Sequence, residues 1–205
     1  CEELHPDICK PKVIPEHLKI QCIDCRTRRI ITLQGTEVYY ALSYVWGAPD
    51  PNSSPTQIHG NIKSLPLTGI PQVVEDSISV VQRLGSNYLW VDKYCIEQNE
   101  TEEKQTQIDN MDKIYEGAYA TIVAASGEDA RSGLPGVSRA RLLQPTELVG
   151  TRVFASTLPS LSLTLSTSKW MTRAWTYQEA ILSRRSIYFT DHQVHFVCGS
   201  VACCE

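Results

Sequence analysis

A chain of 205 residues with 42% hydrophobic and 20% charged side chains has the size and balance of one globular domain with a proper core. Its formal net charge of −4 argues against nucleic acid or an anionic membrane surface as partner. No apolar run reaches the ~18 residues that a membrane-crossing helix needs.

In chain order, residues 1–19, with Pro6, Pro11 and Pro15 among charged neighbours, are expected to drape over the surface. Arg28–Gln34 and Tyr39–Val45 read as strands around a Gly35-Thr36-Glu37 turn, the second apolar on both faces and therefore central. It stops at Trp46-Gly47-Ala48-Pro49-Asp50-Pro51, which cannot continue a sheet. Thr56–His59 and Ile62–Leu67 suggest a hairpin around Gly60-Asn61. A helix opens at Pro71 and runs to about Leu84, with Val74, Ile78 and Val81 on one face. Tyr88–Asp92 is a short strand with Asp92 at its carboxyl end. Asn99 and Glu102 have the spacing of a capping box for a helix burying Ile108, Met111, Ile114, Tyr115 and Ala118. Ala120–Ala125 follows as a buried strand.

Residues 127–168 break this rhythm and read as an insertion, with Arg152–Ser156 and Leu161–Ser166 alternating like a hairpin around Pro159-Ser160. A short helix carrying Trp175 and Glu179 comes next, then strands Ser186–Thr190 and Gln193–Val197. Strand–helix alternation of this kind predicts an α/β fold: an open sheet with parallel central strands, flanking helices and added β-hairpins. Ligands of such sheets bind beyond the carboxyl ends of the strands, where Ser43 to Gly47 and Asp92 to Gln98 fall. One domain is expected over 1–205, with an N-terminal extension at 1–27. The lack of a basic, apolar leader and the abrupt end at Cys203-Cys204-Glu205 are read as a cytoplasmic domain excised from a longer protein.

Eight cysteines raise metal and disulfide readings. Cys22-Ile23-Asp24-Cys25 has ligand spacing but no second pair at zinc-finger distance. His192, His195, Cys198, Cys203 and Cys204 crowd the other end, yet His192 and His195, three apart in a strand pattern, face opposite sides. Reduced thiols and no metal are expected.

On its helix, Glu179 lies about 40° round from Trp175, with Leu182 about 20° to the other side. Met171, Ala174, Ile181 and Leu182 form an apolar stripe with Glu179 on its margin. A carboxylate there is a solvated edge residue or the wall of a cleft, and helical geometry alone favours the edge.

Three segments together resemble the fungal heterokaryon-incompatibility (HET) domain: Tyr40-Ala41-Leu42-Ser43-Tyr44-Val45-Trp46-Gly47, Leu89-Trp90-Val91-Asp92-Lys93-Tyr94-Cys95-Ile96-Glu97-Gln98 and Arg173-Ala174-Trp175-Thr176-Tyr177-Gln178-Glu179. Met111-Asp112-Lys113-Ile114-Tyr115-Glu116-Gly117-Ala118 matches the block between them. That family in turn looks distantly related to TIR domains, which implies a flavodoxin/TIR-like sheet. Enzymatic TIR domains carry Trp-x-x-x-Glu on this helix and need the Glu to cleave NAD+; Trp175 and Glu179 have that spacing. Ser43-Tyr44 resembles the end of the first TIR strand, and Asp92 falls where a strand-ending Asp often occurs. Lys93–Glu100 and the 127–168 insertion depart from the TIR pattern.

The resemblance implies Glu179 as catalytic residue and Ser43, Tyr44, Trp46, Gly47, Asp92, Arg173 and Trp175 as substrate-binding residues, with NAD+ as substrate and no separate cofactor. Trp46 and Trp175 offer flat faces for a ring, Ser43 a hydroxyl for the ribose, and Arg173 a fork for phosphate. Each has a plainer role open to it: core packing for the tryptophans, a backbone partner for Ser43, a surface ion pair for Arg173, a helix cap for Asp92. Cys95, with no base nearby, is expected to be a buried thiol. No Gly-x-Gly-x-x-Gly follows a strand, which argues against a redox dinucleotide fold. The implied role is NAD+ cleavage triggering cell death after non-self recognition, with self-association and an upstream recognition domain or protein as partners. A non-enzymatic signalling module is the alternative.

Overall fold

In the computed structural model, which describes all residues except 2, 16, 49–55, 60, 61 and 98–101, the chain opens with α1 (Pro6–Cys9), β1 (Gln21–Asp24), β2 (Arg29–Thr32) and β3 (Tyr39–Ser43). Next come β4 (Gln57–His59), β5 (Ile62–Ser64), α2 (Gln72–Arg83), β6 (Tyr88–Trp90), α3 (Asp92–Cys95), α4 (Glu102–Asp109), α5 (Met111–Gly117) and β7 (Thr121–Ala124). The hairpin β8 (Thr146–Val149) and β9 (Arg152–Ala155) precedes α6 (Leu161–Ser166), a 3-10 turn at Trp170–Thr172 and α7 (Ala174–Leu182). The meander β10 (Arg185–Phe189), β11 (Val194–Cys198) and β12 (Ala202–Cys204) ends the chain.

Ten strands share one sheet in the order β12-β11-β10-β7-β3-β6-β1-β2-β5-β4. Its middle, β10-β7-β3-β6, is parallel, and both flanks are antiparallel. This is the expected open α/β sheet. β3 lies between β6 and β7, is buried along its whole length and consists only of apolar or hydroxyl side chains, as a strand covered on both faces must. The chain leaves β3 for β6 on one side, then crosses to β7 on the other. The carboxyl end of β3 is thus the point where the winding reverses, the place where open sheets form clefts.

Side chains alternate along β3, so Tyr39, Ala41 and Ser43 share a face. The Tyr39 hydroxyl donates to the Ile114 carbonyl at 2.5 Å, which fixes this as the α5 side. Trp90 of β6 meets Tyr115 of α5 edge to face, with centroids 5.4 Å apart.

Several expectations are corrected. Arg152–Ala155 pairs with Thr146–Val149, not with 161–166, because Gly150, at φ +63°, supplies the turn. Leu161–Ser166 is a helix: the Ser160 hydroxyl caps it, accepting from the Leu163 amide at 3.3 Å, and the alternating leucines mimic a strand. The helix expected through 108–118 is two helices, divided at Asn110. The Asn99 cap and the Gly60-Asn61 turn fall outside the described residues, although β4 and β5 do pair. The N-terminal segment is not merely draped: Cys9 is fully buried, and the Lys12 amide donates to the Glu116 carbonyl at 3.0 Å. β1 and β12 join the sheet without having been expected.

Candidate functional site

Three parts of the chain meet at the carboxyl ends of β3 and β6: the β3 end with its following loop, the start of α3, and the turn leading into α7. A cleft of about 440 Å³ opens between them, lined by Trp46, Asp92, Arg173, Trp175 and Glu179, with Ile96, Lys104, Ile108 and Met111 closing the far wall. That volume lies within the range of about 300–1,000 Å³ that small-molecule sites occupy.

Of the apolar stripe expected on α7, Leu182 packs against the core but the other three members do not. Thr176 and Glu179 are buried, Glu179 only 3% exposed, while Met171 on the preceding turn and Ala174, Trp175 and Ile181 on the helix are open to solvent. Glu179 is therefore cleft wall, not solvated edge. Helical periodicity marks a buried face by its apolar residues, and here Thr176 and Glu179 share the buried side with Ala180 and Leu182.

A directed hydrogen-bond chain holds the carboxylate. The Trp170 indole N–H, which can only donate, gives its hydrogen to Ser43 Oγ at 2.7 Å. Ser43 in turn donates to Glu179 Oε2. The indole occupies the acceptor side of the hydroxyl, so Ser43 is set to support a charged Glu179. The Tyr115 hydroxyl lies close to the same carboxylate but forms no well-aligned bond. Burial raises the Glu179 pKa above its usual range, with the Ser43 bond, the Arg173 charge and Tyr115 pulling it back.

Asp92 faces Glu179 across the cleft. Its Oδ1 accepts from the Lys93 amide at 2.7 Å, but the N-cap of α3 is Val91, so Asp92 is not the helix cap expected; both its oxygens accept from the Trp46 indole N–H at 3.0 and 3.2 Å. Desolvation pushes this carboxyl up to about 7, against the Lys93 amide and with the Glu179 charge adding to the rise. The residue as a whole stays only half-buried. The bond to Asp92 locks Trp46, which is 43% exposed; Trp175, at 53%, is the second ring on the cleft. The Arg173 guanidinium donates to the Tyr44 carbonyl, tying the α7 start to the end of β3.

Of the residues singled out from sequence, Glu179, Asp92, Trp46, Arg173 and Trp175 line the cleft, and Ser43 sits directly behind Glu179. Tyr44 and Gly47 are not on it. The Tyr44 ring is buried in the core, with no hydrogen-bond partner for its hydroxyl among the described residues. Gly47 serves the backbone, since its φ of +76° and a would-be Cβ 2.5 Å from Asp129 Cβ exclude any side chain. Trp90 is core, and Cys95 is buried with its thiol pushed up to about 12 by desolvation. The sequence carried no sign of Trp170, Tyr115 or Lys104 as site residues. Tyr115 read as a core position of its helix, and Trp170 lies just past the 127–168 insertion, outside any periodic pattern.

A family model described as Heterokaryon incompatibility protein (HET) matches residues 39–179, well over half of the chain. The chain belongs to the HET family. Within this HET domain the matched stretch begins on the first residue of β3 and ends on Glu179, so it contains the whole of the cleft wall. No curated protein and no solved structure matches the chain. Membership suggests a role in heterokaryon incompatibility. Among the described residues, no helix of the HET domain is long and apolar enough to cross a membrane.

Proposed function

We propose that this HET domain cleaves the bond between nicotinamide and ribose in NAD+, releasing nicotinamide and ADP-ribose, and that loss of NAD+ drives cell death after non-self recognition. The reading rests above all on Glu179: a buried carboxylate on a cleft wall, aimed by the Trp170–Ser43 chain and without an ion pair among the described residues. The Trp175-x-x-x-Glu179 spacing, similar to that of enzymatic TIR domains, adds to it.

Nicotinamide leaves as a neutral molecule, so the barrier lies in the positive charge growing on the ribose. A fixed carboxylate beside that sugar stabilises the charge and costs no reorganisation as the bond breaks. Ser43 occupies one Glu179 oxygen and leaves the other for a ribose hydroxyl. Trp46 and Trp175 hold the ring systems by stacking. Arg173 and Lys104 supply positive charge for the diphosphate. Water then adds to the ribose, and Asp92, poised near neutrality, accepts the proton it sheds.

Nicotinamide release by the concentrated domain, followed by chromatography, tests this. Release by wild type and its loss in Glu179→Gln support the proposal. Equal release by both removes Glu179 from the chemistry.

One observation favours the non-enzymatic alternative, self-association. Ile181, 60% exposed, and Trp175 and Met171, 53% and 43% exposed, leave large apolar side chains open to solvent on and just before α7. If assembly alone signals, Ile181→Asp abolishes cell killing and Glu179→Gln leaves it intact.

A further inference from the structure

At the far end of the parallel strands, four soft donors converge. Cys1, His5, Cys9 and Cys198 place one ligand atom each within 4.8 Å of all the others. Cys1 Sγ lies 3.6 Å from Cys198 Sγ, and His5 Nδ1 lies 3.0 Å from Cys9 Sγ. From these residues we infer a structural zinc site of three thiolates and one imidazole, which pins the N-terminal segment to the end of β11.

The backbone explains the convergence. The His5 amide donates to the Cys1 carbonyl at 3.0 Å and the Cys9 amide to the His5 carbonyl at 3.3 Å, so a backbone hydrogen bond links each ligand residue to the one four positions before it. Each such bond brings the two backbones it joins close together, and the ligand atoms of Cys1, His5 and Cys9 meet on one side. Cys198 arrives from the opposite side, at the β11 end paired with Arg185, where the Cys198 amide closes a tight turn on the Val201 carbonyl at 2.9 Å. Bond lengths of about 2.3 Å to sulfur and about 2.0 Å to nitrogen give a tetrahedron with edges of about 3.5–3.8 Å. The Cys1–Cys198 separation already matches an edge, and the widest separation needs to close by about 1 Å.

Burial and the neighbouring Cys198 sulfur raise the Cys9 thiol, and backbone amides and a cation act against that rise. The Gly199 amide points at the Cys9 sulfur, and the Ser200 and Val201 amides point at the Cys198 sulfur. Three thiolates and a neutral His around Zn²⁺ leave one net negative charge, and the buried Arg185 guanidinium acts on Cys9 from beside it. A Cys1–Cys198 disulfide would use two of the sulfurs and leave His5 and Cys9 without a purpose. Ligand exchange is simple in balance: each thiol sheds its proton to solvent as its bond to zinc forms.

The 205-residue chain, purified from zinc-supplemented cells, is assayed for metal by mass spectrometry. About one zinc per chain is expected, falling below about a tenth of that in Cys9→Ser and in Cys198→Ser, and unchanged in the exposed controls Cys203→Ser and Cys204→Ser. Should the ligand variants not fold, the wild-type chain is stripped with chelator without oxygen and titrated with Co²⁺ alone. The intense visible absorption of tetrahedral cobalt–thiolate, saturating at one equivalent and displaced by zinc, supports the site. No zinc above background, no such spectrum, or an intact mass two hydrogens lighter from a Cys1–Cys198 disulfide overturns it.

Discussion

Two carboxylates in this domain are equally buried, at 3% exposure, and they live in opposite circumstances. Asp76 on α2 accepts from the Leu134 amide at 2.6 Å, the Ser138 hydroxyl at 2.5 Å and the Gln72 amide group at 2.8 Å, and so ties residues 134–138 to the helix. Gly133, with φ +66°, lets that loop approach, since a Cβ there would sit 2.9 Å from Asp76 Oδ2. Among the described residues Glu179 has a single strong donor, Ser43, a second hydroxyl nearby that is not aligned with it, and a cleft in front. Burying a carboxylate costs several kcal/mol unless hydrogen bonds satisfy it. Asp76 has that compensation and acts as a knot. Glu179 has it only in part, so its remaining oxygen is available to a ligand; the contrast separates structural from functional burial more sharply than depth does.

The largest expected effect tests the functional half. Glu179→Gln keeps shape and still accepts from Ser43, but removes the charge. Nicotinamide release should fall about a thousandfold, the scale seen when a preorganised charge partner is lost, while the thermal midpoint stays within about 2 °C of wild type. If the variant unfolds instead, Glu179 is a second Asp76 and the contrast is broken.

Asp76→Asn tests the other half. An amide cannot accept from all three donors at once, and one of them ends facing its NH₂ group. Urea unfolding should show a loss of about 2–4 kcal/mol, with turnover per folded molecule unchanged. A stable but inactive Asp76→Asn would mean that α2 and the 134–138 loop belong to the site.

The central strands were legible because strands buried on both faces are written as continuous apolar runs: Tyr40 to Val45 and Tyr88 to Val91 could be little else. β1 was obscured by Cys22 and Cys25, which drew attention as metal ligands and are instead buried beside the core. α6 was misread because Leu161, Leu163 and Leu165 alternate, and nothing in spacing distinguishes that from a strand until the Ser160 cap is seen. Six of the eight residues singled out lie on the cleft or immediately behind it because they stand at strand ends or on α7. Tyr44 points the other way by the simple alternation that turns Ser43 inward. Trp170 was invisible, since its role depends on a tertiary contact 127 positions away in sequence.

Trp170→Phe sharpens the comparison by removing the support of Glu179 without touching Glu179. The ring still packs edge to face on Tyr188, centroids 6.0 Å apart, but Ser43 loses the donor that sets its direction. A loss of about 1–2 kcal/mol in stability is expected. Nicotinamide release should fall about tenfold, mainly in kcat, because the substrate contacts remain. An unchanged rate would show that Ser43 alone aims the carboxylate.

The smallest effect belongs to Asp92, and its sign follows from linkage. Its pKa is raised from the usual 3.8 to about 7. Between those values the folded chain keeps a proton that the unfolded chain has lost, so stability declines as pH rises through that window and levels off above about 7. Asn cannot ionise and escapes the decline, while its carbonyl oxygen can still accept from Trp46 or the Lys93 amide. Asp92→Asn should match wild type near pH 4 and exceed it by about 1 kcal/mol near pH 8, a modest figure because the residue keeps contact with water. Urea midpoints at the two pH values measure this. The same substitution should erase the rise in nicotinamide release that accompanies ionisation of Asp92 around neutrality. A variant more stable at high pH but with that rise intact would make Asp92 a support for Trp46 alone, leaving Glu179 as the one carboxylate in the cleft that meets the substrate.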